Sequence, residues 1–181
     1  MHRILLVDDE PGILSALRRV FATARAEDIG GAPATVEAFE DPEAALARAA
    51  EQPFDLVISD YRMPKLSGVE FLERFIALQP GAARLILSAY TDLDGLVGAI
   101  NRAQIFRFLC KPWHDAELKL AVRQALEWKA LTRENARLAD LVRMQRGELS
   151  RAQMELKRLE EQFPGLRAAD DAGSTSKQKQ G

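Results

Sequence analysis

The sequence predicts an α/β protein: a doubly wound, five-stranded parallel sheet flanked by five helices. Five short apolar runs have the length of strands, and several are apolar at nearly every position, as expected of parallel strands covered on both faces. Amphipathic segments of helical length separate these runs. Because such alternation implies right-handed crossovers, we expect helices on both faces of one open sheet.

The apolar runs place the strands, and the segments between them place the helices. Asp41 and Pro42 mark one helix start, because proline suits the first helical turn. The predicted strands are Arg3–Val7, Thr35–Phe39, Leu56–Ser59, Arg84–Ser88 and Phe106–Leu109. The predicted helices are Gly12–Ala24, Pro42–Glu51, Gly68–Leu78 and Leu93–Ala103, and a fifth begins after Trp113.

The region after Trp113 predicts one long helix, since it holds no glycine before Gly147 and no proline before Pro164. The last residues are small and polar, which is typical of a disordered tail. The predicted organisation is a globular domain over residues 3–127, a coiled-coil dimerisation and signalling helix over residues 128–163 and a disordered tail over residues 164–181.

The long helix carries a heptad pattern, with spacings of three and four that predict a left-handed seam and a parallel homodimer. Gly147 weakens this seam, and an amphipathic helix folded back on its own domain is the alternative. One set of seam positions is Trp128, Asn135, Val142, Leu149, Leu156 and Phe163, and the companion set is Leu131, Leu138, Gln145, Ala152 and Leu159.

Composition narrows the class of protein. The chain has 181 residues, with 25 Lys and Arg against 27 Asp and Glu, so no basic character indicates direct nucleic-acid binding. Cys110 is the single cysteine, which excludes an internal disulfide and fits a reducing compartment. No apolar run is long enough for a membrane span, and no signal peptide is evident. We therefore expect a soluble, cytoplasmic protein.

Chemically active side chains follow four of the predicted strands. Asp8 and Asp9 end the first, Asp60 the third, Ser88 the fourth and Lys111 the fifth. Ligands of doubly wound sheets bind at the carboxyl ends of the strands, near the switch in strand order. We therefore expect three carboxylates, a hydroxyl and an ammonium to meet in one crevice.

Clustered carboxylates need protonation, a cationic partner or a metal. Two of them about 4 Å apart repel by roughly 4 kcal/mol at an effective dielectric constant of 20. Lys111 can neutralise one charge, and hard oxygen ligands with access to water suit Mg²⁺. The alternative for the acids Asp8, Asp9 and Glu10 is that they cap the first helix, since acids favour a helix N-terminus.

Four segments, "LLVDDEP", "DLVISDYRMPKLSGVEFL", "LILSAYTD" and "FRFLCKPW", resemble in order and spacing the receiver domain of two-component response regulators. The resemblance covers about Arg3 to Trp128. It implies a phosphoryl group taken from a histidine kinase onto Asp60. It also implies that Asp8 and Asp9 hold Mg²⁺ together with the Asp60 carboxylate and the backbone carbonyl of Arg62.

The resemblance further implies roles on the last two strands. Ser88 and Lys111 would bind the phosphoryl oxygens, and Phe108 would be the switch aromatic that follows Ser88 toward the new charge. A Lys111-Pro112 cis bond is also implied. The alternative for Phe108 is an ordinary core aromatic.

Two other functions are compatible with parts of the sequence. A haloacid-dehalogenase-like phosphatase also uses a nucleophilic Asp, a Lys and Mg²⁺, but its nucleophile sits in an Asp-x-Asp pattern after the first strand, whereas Asp8 is followed by Asp9 and Glu10. A coiled-coil adaptor with an inert receiver is disfavoured by the complete acidic site. No Walker A or helix-turn-helix pattern follows the domain. We therefore expect a phosphoacceptor signalling module rather than an enzyme.

Overall fold

The computed structural model describes residues 1–89, 103–147 and 150–163, with a single five-stranded parallel sheet in the order β2-β1-β3-β4-β5. The strand order reverses at β1, so β1 and β3 lie side by side at the centre. The fold class predicted from the sequence is confirmed as the flavodoxin-like receiver fold. The strands are β1 His2–Val7, β2 Ala34–Phe39, β3 Leu56–Asp60, β4 Ala83–Ala89 and β5 Arg107–Lys111.

Helices follow the strands largely where the amphipathic segments predict them. Asp41 accepts the backbone N–H of Glu43 at the start of one, and Ser67 and Glu70 form a capping box at the start of another. A short 3-10 helix, Ala26–Ile29, was not predicted. The α-helices are α1 Pro11–Thr23, α2 Pro42–Glu51, α3 Gly68–Leu78, α4 Asp115–Gln145 and α5 Arg151–Gln162.

Two apolar cores cover the two faces of the sheet. Along β1, Ile4 and Leu6 pack into the core shared with α1 and α4, whereas Leu5 and Val7 pack into the core shared with α2 and α3. All four are at most 1% exposed. Successive strand residues point to opposite faces, so a strand buried on both sides must be apolar throughout. This explains the uninterrupted apolar run that opens the chain.

Some predictions concern residues outside the described ranges. The helix predicted over Leu93–Ala103 falls there except for Ala103, which is buried. The tail predicted over residues 164–181 and the seam position Leu149 fall there too, and the side chain of Ala152 is likewise not described. In the ranges that are described, no helix combines the length and apolar character needed to cross a membrane.

The prediction of one uninterrupted helix to residue 163 is wrong, because α4 ends at Gln145 and α5 begins at Arg151. Gly147 adopts a left-handed φ of +74°, and its N–H bonds to the carbonyl of Met144. Ser150 and Gln153 then form a capping box that starts α5. These local stop and start signals override the heptad periodicity.

Helix α5 runs back beside α4, and the two form a helical hairpin. The Nζ of Lys157 lies 2.9 Å from a carboxylate oxygen of Asp140, and Arg133 lies 3.5 Å from Glu161. The helices are therefore antiparallel within one chain. The alternative of a helix folded back on its own domain stays a prediction, since α5 does fold back and these pairs join it to α4.

The base of α4 belongs to the globular domain. Lys129 donates to the carbonyl oxygen of Phe54 and pairs with the carboxylate of Asp55, and the rings of Phe106 and Trp128 lie 5.7 Å apart. Beyond these contacts α4 leaves the domain. The side chains that α4 buries against the sheet are Leu118, Ala121, Val122, Ala125 and Leu126.

Candidate functional site

The carboxyl ends of three parallel strands bring Asp8, Asp60 and Lys111 together. Asp60 is the last residue of β3, Lys111 the last of β5, and Asp8 follows β1 directly. The Nζ of Lys111 lies 2.8 Å from the Oδ2 of Asp8 and 2.5 Å from the Oδ1 of Asp60. One ammonium therefore bridges two carboxylates, as the strand ends of the sequence predict.

Burial raises the free-energy cost of keeping the side chains of this cluster charged. Asp8 is 1% exposed and Asp60 6% exposed. Burial raises the pKa of the Asp8 carboxyl above its ordinary value, although the Lys111 ammonium opposes that shift. For Lys111, burial lowers the pKa, but its bonds to Asp60 and Asp8 outweigh burial, so its pKa is raised. The lysine is therefore a fixed cation at neutral pH.

Backbone contacts hold the Asp60 carboxylate in place. Its Oδ2 accepts the backbone N–H of Arg62 at 2.8 Å, while its carbonyl oxygen accepts the Ser59 hydroxyl at 2.9 Å. A Cβ at Gly68 would lie 1.9 Å from that same carbonyl oxygen, so only glycine fits there. The start of α3 thus packs directly on the residue predicted to accept the phosphoryl group.

Ser88 and Phe108 lie next to the cluster on β4 and β5. The buried Ser88 hydroxyl donates to the carbonyl of Ala89 at 3.2 Å, and Ala89 stands opposite Lys111 in the strand register. Phe108 lies on the edge strand and is 38% exposed. The alternative that Phe108 is an ordinary core aromatic is therefore wrong. Its role as a switch stays a prediction.

Asp9 is half-buried and makes no hydrogen bond or ion pair with any described residue. Across the described residues, no group of three or more His, Cys, Asp or Glu side chains is arranged to hold a metal ion. Lys111 occupies the space between Asp8 and Asp60. The two buried carboxylates supply hard oxygen atoms, the kind of ligand that Mg²⁺ takes in proteins.

The acids after β1 do not cap α1. Glu10 stands at the N-cap of that helix, and its side chain makes no capping hydrogen bond. The Oδ1 of Asp8 instead accepts the backbone N–H of Glu10 at 2.9 Å, which leaves its Oδ2 for Lys111. The helix-capping alternative is therefore not what the structure shows.

Sequence reasoning missed a groove of about 790 Å³ beside the cluster, between α1 and the segment after β5. Glu10 and Lys111 form its charged end, 3.8 Å apart. The bulky "KPW" at the end of β5 is its only sequence signal. The peptide bond between Lys111 and Pro112 is cis, as the family resemblance implies. The groove is also lined by Ile13, Ala16, Val20 and Trp113.

Known proteins share this domain. The hydrogenase transcriptional regulatory protein HoxA of Cupriavidus necator is 36% identical over 135 residues, which cover 75% of this chain and 26% of that protein. The alginate biosynthesis transcriptional regulatory protein AlgB of Pseudomonas aeruginosa is 34% identical over 143 residues, covering 79% and 30%. The chain thus spans between a quarter and a third of the length of these relatives.

Solved structures agree with the sequence comparison. The signal receiver domain of an HD domain-containing protein from Pseudomonas fluorescens Pf-5 is 36% identical, with a TM-score of 0.64 over 71% of this chain and 97% of that one. Residues 4–123 match the response regulator receiver domain, and these residues include the whole Asp8, Asp60 and Lys111 cluster. The chain therefore belongs to the response regulator receiver family of two-component phosphorelay signalling.

Proposed function

We propose that the protein is a phosphorylation-switched response regulator that accepts a phosphoryl group from a histidine kinase on Asp60. The observation that carries the proposal is the geometry of Asp60: a carboxylate at a strand end, paired with Lys111 and bordered by the buried Asp8. The pairing orients the nucleophile and supplies a positive charge where charge develops during transfer.

The transfer balances with the groups present. A carboxylate oxygen of Asp60 attacks the phosphorus of a phosphohistidine, the P–N bond breaks, and the imidazole leaves with the bonding electron pair. The product is an acyl phosphate on Asp60. Lys111, already in contact with Asp60, then pairs with a phosphoryl oxygen, and the Arg62 N–H, already bonded to Asp60, donates to another. Ser88 follows Leu87, the register partner of Asp60 on β4, and its hydroxyl would donate to a third.

Mg²⁺ is part of this proposal. Asp8, Asp9, the Asp60 carboxylate and the backbone carbonyl of Arg62 would hold it, since oxygen ligands and several waters suit this ion. When bound, the ion neutralises charge on the transferred phosphoryl group. The support from the structure is the buried carboxylate pair of Asp8 and Asp60, which already gathers one cation.

The switch is proposed to run through Ser88 and Phe108. Phosphorylation adds about −1.5 to −2 charge beside Ser88, whose hydroxyl would turn from the Ala89 carbonyl toward it. Phe108 lies on the edge strand and is partly exposed, and its ring would turn inward into the space that the Ser88 side chain leaves when it moves. The result would be a changed surface on β4 and β5.

The output is proposed to be a parallel homodimer formed through α4. The seam residues Leu131, Leu138 and Val142 lie on one helix face and are 46% to 66% exposed, so a second copy would bury them. The heptad pattern supports the same face. The dimer would carry the phosphorylation signal from the receiver along its helices.

The experiment measures incorporation of phosphate from acetyl phosphate by intact-mass spectrometry, with and without Mg²⁺. We expect one phosphoryl group, dependence on Mg²⁺ and loss of labelling in Asp60→Asn. Asp41→Asn, which removes a carboxylate at the start of α2, is the matched control and should label normally. Continued labelling of Asp60→Asn would refute the acceptor. Multiple turnover with release of phosphate would instead identify a phosphatase.

A further inference from the structure

The hairpin of α4 and α5 is held together by charges and leaves its apolar residues facing outward. Two ion pairs join the helices, Asp140 with Lys157 and Arg133 with Glu161. Most large apolar side chains on the two helices beyond Lys129 are between 38% and 66% exposed. These outward residues are Leu131, Leu138, Leu141, Val142, Leu156 and Leu159, with Phe163 just after α5.

The ion-paired residues and the outward apolar residues lie on opposite sides of the helix in one heptad register. If Trp128 is an a position, six of these outward residues occupy a or d positions, and Leu141 occupies the flanking g position. Arg133, Asp140 and Glu161 then occupy f positions, and Lys157 occupies a b position, so the pairs that close the hairpin lie on the outer side of the seam. The two ion pairs that join the helices therefore use none of the a and d positions that a coiled coil would use.

We propose that these two ion pairs form a latch that sets the length of the dimer seam. With the latch closed, a second copy can pair only with the α4 part of the seam, from Trp128 to Val142. With the latch open, α4 and α5 continue as one helix, and the seam reaches Phe163. This inference rests on the homodimer of the proposed function and adds the regulation of its length.

A second copy is the occupant because the stripe complements itself. The heptad register of α4 continues into α5 across the hairpin turn, so two open chains would align every outward apolar residue with its counterpart. The closed seam spans about 21 Å and the open seam about 52 Å, at 1.5 Å per residue. Helical segments as short as the closed seam are marginal in water, whereas the open seam is long enough for stable pairing.

The latch is weak enough to be displaced. Arg133 and Glu161 are both more than 60% exposed, and Lys157 is 48% exposed. An exposed ion pair changes such an equilibrium by between about 1.4-fold and fivefold, and added salt screens it. Against this, Gly147 and the Ser150 capping box favour the closed form. Because the longer dimer seam must offset this preference, the latch opens together with dimerisation.

The test compares Lys157→Gln with Arg158→Gln, which removes the same charge from the neighbouring position. Sedimentation of the full chain measures the dimer dissociation constant. We expect Lys157→Gln to lower it by about 2-fold to 25-fold, because both chains must open, and Arg158→Gln to leave it unchanged. The charge swap Asp140→Lys with Lys157→Asp should restore the wild-type value.

A distance measurement reports the latch directly. Spin labels on Ala130→Cys and Gln162→Cys, in a Cys110→Ser background diluted with unlabelled chain, lie near the roughly 10 Å spacing of neighbouring helices when closed. They lie about 48 Å apart in one continuous helix. We expect Lys157→Gln to raise the population at long distance.

The outcomes separate the latch from the dimer. An equal dissociation constant in wild type, Lys157→Gln and Arg158→Gln, or a distance that stays short in the dimer, overturns the latch and leaves the homodimer standing. A monomer in every variant overturns the homodimer and, with it, the inference that rests on it. A tighter dimer together with the long distance supports both.

Discussion

The ammonium of Lys111 lies 2.5 Å from the Oδ1 of Asp60, although the two residues come from strands separated by β4 in the sheet. The lysine reaches across the carboxyl end of β4 and contacts Asp8 as well. Loss of this contact tests the chemistry of the site most directly.

Lys111→Met should slow labelling of Asp60 by acetyl phosphate by about 10²-fold to 10³-fold, the usual effect of removing one donor that stabilises transition-state charge. The rate of phosphate incorporation at fixed Mg²⁺ measures it. Lys119→Met removes a lysine from α4 outside the cluster and should label at the wild-type rate. A normal rate in Lys111→Met would show that the contact is purely structural.

Gly68→Ala should destabilise the fold by about 1–3 kcal/mol, because the new Cβ would lie 1.9 Å from the Asp60 carbonyl oxygen and the end of β3 must move. Urea unfolding measures the change. Gly12→Ala is the matched control: nothing lies within 4 Å of its Cβ, and alanine favours the α1 helix, so stability should hold or rise. Similar losses in both variants would contradict the steric argument.

Asp55→Asn should lower the free energy of unfolding by about 1 kcal/mol at neutral pH, since it removes the charge that pairs with Lys129. Burial raises the pKa of Asp55, but Lys129 and the Arg3 N–H outweigh burial and lower it. A lowered folded-state pKa gives stability that is present above the unfolded pKa of about 3.9 and is lost as pH falls through the folded value.

The pH profile therefore distinguishes this pair from a general packing effect. The difference between wild type and Asp55→Asn should be constant from about pH 5 to 7 and should shrink below about pH 4. Unfolding measured at each pH gives the profile. A difference that persists unchanged at pH 3 would show that charge is not its cause.

Phe108→Ala should cost less stability than Leu109→Ala. The Phe108 ring is 38% exposed, whereas Leu109 is 2% exposed, and truncating a buried leucine costs about 2–5 kcal/mol. Denaturant midpoints of the two variants give the comparison. Phe108→Ala should also still label on Asp60, because Phe108 and Lys111 are three residues apart on β5 and so point to opposite faces of the sheet. Equal losses of stability would place Phe108 in the core after all.

Leu138→Asp should abolish the proposed homodimer, because it puts a charge at a d position in the middle of the seam. Ala136→Asp adds the same charge at an exposed outer position of α4 and should leave the dimer intact. Sedimentation at tens of micromolar separates the two results. A wild-type chain that sediments as a monomer there would refute the dimer.

The sequence predicts the sheet and the meeting of Asp60 with Lys111 at one edge of it, because both depend on short-range patterns. The apolar run from Ile4 to Val7 requires burial on both faces, and Asp41 and Ser67 supply caps that fix α2 and α3. The strand ends then bring Asp60 and Lys111 together, since parallel strands share one carboxyl edge.

The missed features depend on contacts between distant segments or on competing local signals. The fit of Gly68 against Asp60 is set by how α3 returns to β3, which no periodicity records. The break after Gln145 had visible signals, since Gly147 and Ser150 suit a helix end and a helix start. The heptad pattern points to one continuous helix, but the same register can run through two helices separated by a turn.

The contacts of Lys129 and Trp128 fix the direction in which α4 leaves the domain. The helix is buried in the receiver core up to Leu126 and is held by Lys129, so no flexible linker separates the domain from the exposed part of α4. This exposed part, from Lys129 to Gln145, is about 24 Å long. A tilt of about 10° at its base would sweep the far end by roughly 4 Å, since a rigid rod of that length magnifies small movements at its pivot. A small tilt of α4 beside β5, which leaves the core packing intact, can thus move the hairpin turn by about 4 Å. That displacement is as large as an ordinary contact distance between two side chains.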